Sequence, residues 1–385
     1  MEPKEPRIGV FFCDCGETIH GLINFDKLKE HAKTLRGVQY VETDRFLCSA
    51  DAIKRLGRMV KEKNLDRVVV AACSPRIYLD EFRQAAEKAG INAYMVEMAN
   101  LREQVAWMHS KDSAEATDKA KDVVAMSVAR SRMMQPSTHG PGAVVTEDLC
   151  SGCGICASTC RQGAIGFKED KENKKRVAVV DRAECRACGA CVAACPSGAM
   201  NMEGFSNEEI LAEVDEFSQG LLESKEPFPS IIVFACHWCS YPAADLAGLK
   251  RLQVNANFRL IRTPCSARVD PEWVLRALSR GVDGVMVLGG KEGNCHYQGG
   301  NVRTRNRMAL LTKVLEQLGF DPQRFQVEWV NDDEPYRFRA VVNEFVERVE
   351  SLGPSPMRAP SEEERMTSAL HHGRDEIDHP SYSDQ

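Results

Sequence analysis

The run I-G-V-F-F-C-D-C, from Ile8 to Cys15, decides the fold once it is set beside I-I-V-F-A-C-H-W-C, from Ile231 to Cys239. Each is a short apolar run that ends on a pair of cysteines, and such runs bounded by turn residues read as buried strands. The downstream residues keep step in both places. The first continues with R-F-L-C-S-A-D from Arg45 and V-V-V-A-A-C from Val68; the second continues with R-T-P-C-S-A-R-V-D from Arg262 and V-M-V-L-G-G-K-E-G-N-C from Val285. Both place two cysteines after a first strand, one after a second and one after a third. Helical patterns separate the runs, and strands alternating with helices predict a parallel sheet covered by helices. In open sheets of this kind the loops at the strand C-termini converge on the crevice where ligands bind. The two units share one design, as a duplication would produce.

Working outward, the periodicity predicts strands over 8–12, 38–42, 67–72 and 93–96, with helices over 25–35, 50–63, 78–89, 101–109 and 114–134. In the second unit it predicts strands over 231–235, 258–262, 284–288 and 326–330, with helices over 270–279, 303–318 and 335–351. Gln135 to Gly142 and Ser224 to Pro229 are linkers by composition, a helix over 207–222 precedes the second, and the charged stretch from Lys168 to Arg176 reads as an exposed loop. The expected division is 1–134 α/β, 135–143 linker, 144–205 a small α+β domain, 206–229 helical linker, 230–352 α/β, and 353–385 a disordered tail rich in Pro, Ser and charge.

The chain has 385 residues, room for two or three domains, and Lys+Arg 50 against Asp+Glu 56 gives a charge of −6, so no basic excess points to nucleic acid. No apolar run approaches the roughly 20 residues of a membrane span. The start, Met1-Glu2-Pro3-Lys4-Glu5, carries no basic stretch or apolar region of a signal peptide. The expectation is a soluble, cytoplasmic protein. Its 16 cysteines are the anomaly. Thiols stay reduced in the cytosol, so an ordered set reads as metal-binding rather than as disulfides. They fall into blocks of four, eight and four, with none left over.

The middle block is the most specific. Cys150-x-x-Cys153-x-x-Cys156-x-x-x-Cys160 is followed by Cys185-x-x-Cys188-x-x-Cys191-x-x-x-Cys195-Pro196. Two such runs are the bacterial two-cluster ferredoxin signature, in which the fourth cysteine of each run ligates the other cluster. One 4Fe–4S cluster is expected on Cys150, Cys153, Cys156 and Cys195, and another on Cys185, Cys188, Cys191 and Cys160. Glycines 152, 154 and 189 are expected to let backbone approach the sulfurs. Arg161 stands where the signature has Pro and removes no ligand. In the third block, Cys236, Cys239, Cys265 and Cys295 form a complete set that suits a 2Fe–2S centre, while zinc or a 4Fe–4S cube stays open. His237 and His296 flank these ligands and read as ordinary neighbours. In the first block, Cys13, Cys15, Cys48 and Cys73 are expected to hold a third 4Fe–4S cluster. The alternative for the outer blocks is buried cysteine acting as a small hydrophobe.

There is no G-x-G-x-x-G after a strand, so no flavin or nicotinamide fingerprint, and no phosphate loop, zinc-protease or serine-hydrolase motif. Gly289 to Gly293 is expected to turn the chain toward Cys295. Arg303, Arg305 and Arg307 read as a solvated face near a helix start.

Residues 7–134, with C-D-C-G, V-V-V-A-A-C-S-P-R and E-M-A-N-L-R-E-Q-V-A-W-M-H, resemble the N-terminal domain of the heterodisulfide reductase A-type polypeptide. Residues 230–352, with F-A-C-H-W-C-S-Y, R-T-P-C-S-A-R-V-D-P-E, G-N-C-H-Y-Q-G-G-N and V-V-N-E-F-V-E, resemble the delta subunit of methyl-viologen-reducing hydrogenase. The resemblance implies a 2Fe–2S cluster in the second and a link from a hydrogenase or similar donor to an A-type polypeptide. In that family the A-type polypeptide continues into a flavin-binding domain where electrons are split. Here Ala129-Arg130-Ser131-Arg132 runs through a short linker into the ferredoxin block, so bifurcation does not carry over. The expected function is an electron-relay subunit of an oxidoreductase complex, without a substrate site of its own. Its expected partners are a flavoprotein, a hydrogenase, a formate dehydrogenase or heterodisulfide reductase-like subunits. A cluster-based reductase and an iron–sulfur sensor or docking module are the rival readings.

Overall fold

The computed structural model describes residues 5–170, 175–222 and 228–358. The first unit runs β1 (Ile8–Cys13), α1 (Phe25–Thr34), β2 (Val38–Asp44), α2 (Ala50–Glu62), β3 (Arg67–Ala72), α3 (Pro75–Lys88), β4 (Val96–Asn100) and α4 (Ser113–Met133). Its four strands pair in parallel in the order β2-β1-β3-β4. β1 is buried throughout, as a strand covered by helices on both faces must be. The expected strand over 93–96 begins only at Val96. Asn92 accepts a hydrogen bond from the Tyr94 amide and closes a 3-10 turn over Ala93–Met95 first.

The middle segment contains β5 (Gly142–Val145), α5 (Ile155–Thr159), β6 (Ile165–Asp170), β7 (Lys175–Val180), β8 (Met200–Glu203) and α6 (Asn207–Leu222). β5 pairs antiparallel with β8, and β6 with β7. The charged stretch expected as a loop thus supplies the facing ends of β6 and β7, where Lys168 pairs with Val177 and Asp170 with Lys175. Alternation along an exposed hairpin tolerates charge on every outward side chain. Residues 171–174 between them, 223–227 of the second linker and 359–385 of the tail lie outside the described residues.

The last unit runs β9 (Ile231–Cys236), α7 (Ser240–Leu249), β10 (Phe258–Thr263), α8 (Pro271–Ser279), β11 (Gly284–Gly289), α9 (Gly300–Gln317), β12 (Phe325–Trp329) and α10 (Pro335–Ser351). Its sheet order, β10-β9-β11-β12, repeats the first sheet's order strand for strand. In each sheet the chain leaves the first strand on one side and returns on the other, which makes the C-terminal edge of β1 and of β9 a topological switch point. The fold is α/β with two parallel sheets.

Two helices bind the parts together. Residues 124–131 of α4 are all buried, so that helix has neighbours on every side. Arg259 of β10 donates to Asp122 at 2.6 Å, and α6 packs along α4. Met126 of α4, Phe217 of α6, Cys191, Phe234 of β9 and Trp273 of α8 belong to one continuous apolar core.

Candidate metal centres

In the first unit the sequence brings each cysteine to a strand end. Cys13 closes β1, Cys48 follows β2 and Cys73 follows β3. Cys15 sits in the left-handed region at φ 52°, a position costly for a residue with a Cβ. Burial pushes the Cys13 thiol up to about 11, and Cys15 and Cys48 lie near enough to add to it. Burial likewise raises Cys73 to about 12, with Cys13 and Cys15 among its neighbours. Cys13 thus feels the charge of Cys15 and Cys48, and Cys73 that of Cys13 and Cys15. Beside them a π-helical turn, Arg102–Ala106, projects Arg102, whose Nη1 lies 3.6 Å from the Cys15 sulfur. Arg102 is held by Glu103 at 2.6 Å, and Glu103 also accepts the Ser74 amide at 2.8 Å.

In the middle segment, Cys150, Cys153, Cys156 and Cys195 line one hollow, and Cys160, Cys185, Cys188 and Cys191 line a second. Cys195 thus lies with the first run's three sulfurs and Cys160 with the second run's. Gly152 and Gly189 serve another purpose than the one expected. Both have positive φ, and a Cβ would lie 2.5 Å from the Arg176 carbonyl oxygen at the first and 2.4 Å from Arg268 at the second. What they admit is the neighbouring chain, not a sulfur.

In the last unit Cys236 closes β9, Cys239 caps α7, Cys265 follows β10 and Cys295 lies between β11 and α9. Here the glycines do make room for sulfur. A Cβ at Gly290 would lie 2.6 Å from the Cys239 Sγ, and one at Gly300 would lie 2.5 Å from the Cys265 Sγ. Hydrogen bonds from Cys239 and Cys265 hold the Cys236 thiol well below its ordinary value. A hydrogen bond from Cys265 brings Cys295 down to about 5, and the amides of Asn301, Gly299 and Tyr297 point at the same sulfur. The same bonds raise the thiols that donate them, Cys239 and Cys265, so the thiolate is favoured at Cys236 and Cys295 and opposed at the other two. His237 faces Arg262 at 3.5 Å, and His296 stacks on Trp238 at 3.8 Å, so both rings are engaged elsewhere. Arg307 bonds the Ala267 carbonyl at 2.8 Å and braces the Cys265 loop instead of meeting solvent.

Every one of these sets is all-thiol, the soft donor type that suits iron–sulfur clusters and zinc. Among the described residues no three His, Cys, Asp or Glu side chains converge as a single bound ion requires. Cys188, Cys265 and Cys295 belong to one packed group with Ala190, Ala267 and Tyr297, so the second hollow adjoins the last unit's set. Three supports were not legible in the sequence: the Arg102–Glu103 pair, half-buried Asp245 and buried Arg268. Asp245 accepts from Ser74 at 2.6 Å, Gln104 at 2.8 Å and Asn100 at 2.9 Å, tying α7 to the Cys73 loop. Arg268 donates to the Phe205 carbonyl at 3.1 Å and to Asn207 at 2.7 Å, against the turn at Gly189. Asp245 and Arg268 meet partners from another segment, as Glu103 does at the Ser74 amide, and no local pattern announces such contacts.

Parts of the chain are similar to known proteins. Residues 231–353 match the family described as methyl-viologen-reducing hydrogenase, delta subunit, and residues 149–199 match the 4Fe-4S dicluster domain. The D-type iron-sulfur polypeptide of an F420-non-reducing hydrogenase from Archaeoglobus profundus is 43% identical over 131 residues, 34% of this chain and 96% of that protein. The A-type polypeptide of the ferredoxin/F(420)H(2)-dependent CoB-CoM heterodisulfide reductase of Methanosarcina acetivorans is 47% identical over 213 residues, 55% of this chain. The chain spans about a quarter of that polypeptide's length, 26%. Its counterpart in the ferredoxin:CoB-CoM heterodisulfide reductase of Methanosarcina mazei is 44% identical over 213 residues, with the same coverage of both chains.

Proposed function

The chain belongs to the hydrogenase delta-subunit family, joined in one polypeptide to a heterodisulfide reductase A-like segment and a dicluster domain, and from that premise we propose that it is an iron–sulfur electron-relay subunit of a cytoplasmic oxidoreductase complex. Three 4Fe–4S clusters would be held by Cys13, Cys15, Cys48 and Cys73, by Cys150, Cys153, Cys156 and Cys195, and by Cys160, Cys185, Cys188 and Cys191. A 2Fe–2S cluster would be held by Cys236, Cys239, Cys265 and Cys295. The functional units are 1–134, 144–205 and 230–352, with the ferredoxin module set between the two parallel-sheet units. Clusters of this kind supply one-electron transfer over a range of potentials set by charge, hydrogen bonding and solvent exposure.

The residues of the chain do the positioning. Strand ends at two switch points present eight of the sulfurs, and Arg102 places a positive charge beside the first set. Amides at Cys236 and Cys295 aim at the last set, and the packing of Tyr297 with Cys188 and Cys265 holds two sets side by side. The observation that supports the reading is that two hollows of the middle segment are each lined by four cysteines, Cys195 with the first run's three and Cys160 with the second run's. Partners would be a flavoprotein, a hydrogenase or formate dehydrogenase, and heterodisulfide reductase-like subunits. The test is iron and acid-labile sulfide per chain after anaerobic purification, with electron paramagnetic resonance during reduction. About fourteen irons that reduce reversibly are expected. About ten would remove the first unit's cluster, and zinc in the last unit would break the relay there.

A further inference from the structure

The three segments also enclose a cleft of about 540 Å³, within the range of roughly 300 to 1,000 Å³ that small-molecule sites occupy. Its walls are the N-terminus of α3, the connection from Met134 to Pro141, the loop between Cys185 and Cys188, and the loops after β9 and β10. Five arginines line it against two carboxylates, Asp80 and Glu97. Two of the five arginines, Arg130 and Arg83, have carboxylate partners. Glu97 lies 3.4 Å from Arg130, which Glu209 and Glu213 also hold. Asp80 is 85% exposed and reaches only Arg83, at 3.5 Å. Arg76, Arg186 and Arg262 line the cleft without a close ion pair among the described residues, with Asp245 acting on Arg76 and Glu213 on Arg262 at longer range.

Two further observations point to an anionic occupant. The Nε of Arg83 is buried without a hydrogen-bond partner among the described residues, and the exposed part of its side chain lines the cleft. Arg83 and Arg262 also repel each other: burial lowers the Arg83 pKa, and Arg262 lowers it further. Like charges facing across a cleft are stabilised by an anion placed between them. The positive end of α3, a helix of 14 residues, opens onto the same space at Pro75 and Arg76. Flat faces complete the lining. The Arg83 guanidinium lies 5.0 Å over the Tyr94 ring and that of Arg262 lies 5.2 Å over Phe205, while Trp238, 39% exposed, stands at the wall.

We propose that this cleft binds a nucleotide-type ligand, a planar ring system bearing one or more phosphates. The phosphate lies at Arg83 and Arg262 near the α3 N-terminus, and the ring lies on the aromatic wall. Arg76 follows Cys73 by three positions, Arg186 stands between Cys185 and Cys188, and Trp238 stands between Cys236 and Cys239. The occupant therefore rests against loops that carry three of the four cysteine sets. The site goes beyond the relay reading and stands without it, because the two are read by different assays.

Isothermal calorimetry on the anaerobic, full-length, cluster-loaded chain tests it, with ADP and flavin mononucleotide as probes and with riboflavin and inorganic phosphate as their halves. Saturable one-to-one binding of at least one phosphorylated probe is expected, at least about tenfold tighter than either half. Arg262→Gln and Arg76→Gln should each weaken it at least about threefold with iron content unchanged. If R262Q loses iron, the R76Q result decides. Absence of saturable binding by both phosphorylated probes overturns the proposal. So does binding that neither variant weakens, and so does tighter binding of an oligoglutamate peptide, which would assign the cleft to an acidic segment of a protein partner.

Discussion

Arg130 concentrates the residue-scale logic. It is 3% exposed and meets Glu97 of β4, Glu209 and Glu213 of α6, and the Gly204 carbonyl at 2.6 Å. Three carboxylates around one cation leave excess negative charge out of water, which burial makes costly. Burial accordingly pushes Glu209 and Glu213 up to about 7, against the pull of Arg130. A carboxyl raised in the folded state stabilises the fold below its unfolded value of 4.5, and that contribution is lost as pH rises toward 7. Glu213→Gln keeps an acceptor for Arg130 and removes the titration. Relative to E213Q, the wild type should lose up to about 3 kcal/mol between about pH 4.5 and about pH 7, measured by urea unfolding at both. A variant that is weakened more at the higher pH would show an ionised, net-favourable pair instead. Cys195→Ser addresses the crossed sets. It should lower iron by about four per chain and abolish the signal of the cluster on Cys150, Cys153 and Cys156. Loss of the other middle signal alone would refute the crossing.

At the scale of elements, the π-helical turn at Arg102–Ala106 and α7 fit as one joint. Gly248 of α7 packs so closely on the turn that a Cβ there would lie 1.8 Å from the Glu103 carbonyl oxygen. That contact is with backbone, which has little room to yield. Gly248→Ala should therefore destabilise the protein by about 2 kcal/mol or more, read as a lower denaturation midpoint. It should also loosen the Glu103 grip on Arg102 and Ser74, so the first unit's cluster should be lost faster to a chelator than in wild type. Equal chelation rates would separate the joint from the cluster site. α7 itself escaped the periodicity reading. Pro242 stands in its first turn, where no backbone donor is needed, and its burial on most sides erases the amphipathic stripe.

The whole molecule shares its core, and this sets its cooperativity. α4 belongs to the first unit by sequence, yet Met126 packs in the cluster that holds Cys191 and Trp273. α6 lies between α4 and α8, with Asp215 paired to Arg276 at 2.7 Å. A chain of separable domains unfolds in steps, whereas a shared core couples them. Trp107 reports the first unit, and Trp238, Trp273 and Trp329 report the last. Single-tryptophan variants keeping Trp107 or Trp273 should give coincident urea midpoints within about 0.3 M, the cluster-loaded protein being used for both. Midpoints well apart would show independent units. Iron removal should lower both midpoints together, because Cys150, Cys156 and Cys191 are themselves core residues.

Strand ends, cysteine spacing and the shared design of the two outer units were legible in the sequence because they are written in local runs, whereas the strand order of each sheet came from the structure. A buried strand is a short apolar run, and a ligand set is a count and a spacing. Ile231 to Cys236 and Arg67 to Ala72 announce themselves in this way, and so do the two four-cysteine runs. The tertiary structure alone decided what passes between segments. It placed Asp245 against Ser74, Arg268 against the turn at Gly189, and Arg130 among carboxylates from two elements. It also gathered arginines from all three segments around one cleft. These contacts join residues far apart along the chain, and a charge carries no mark of the partner that will neutralise it.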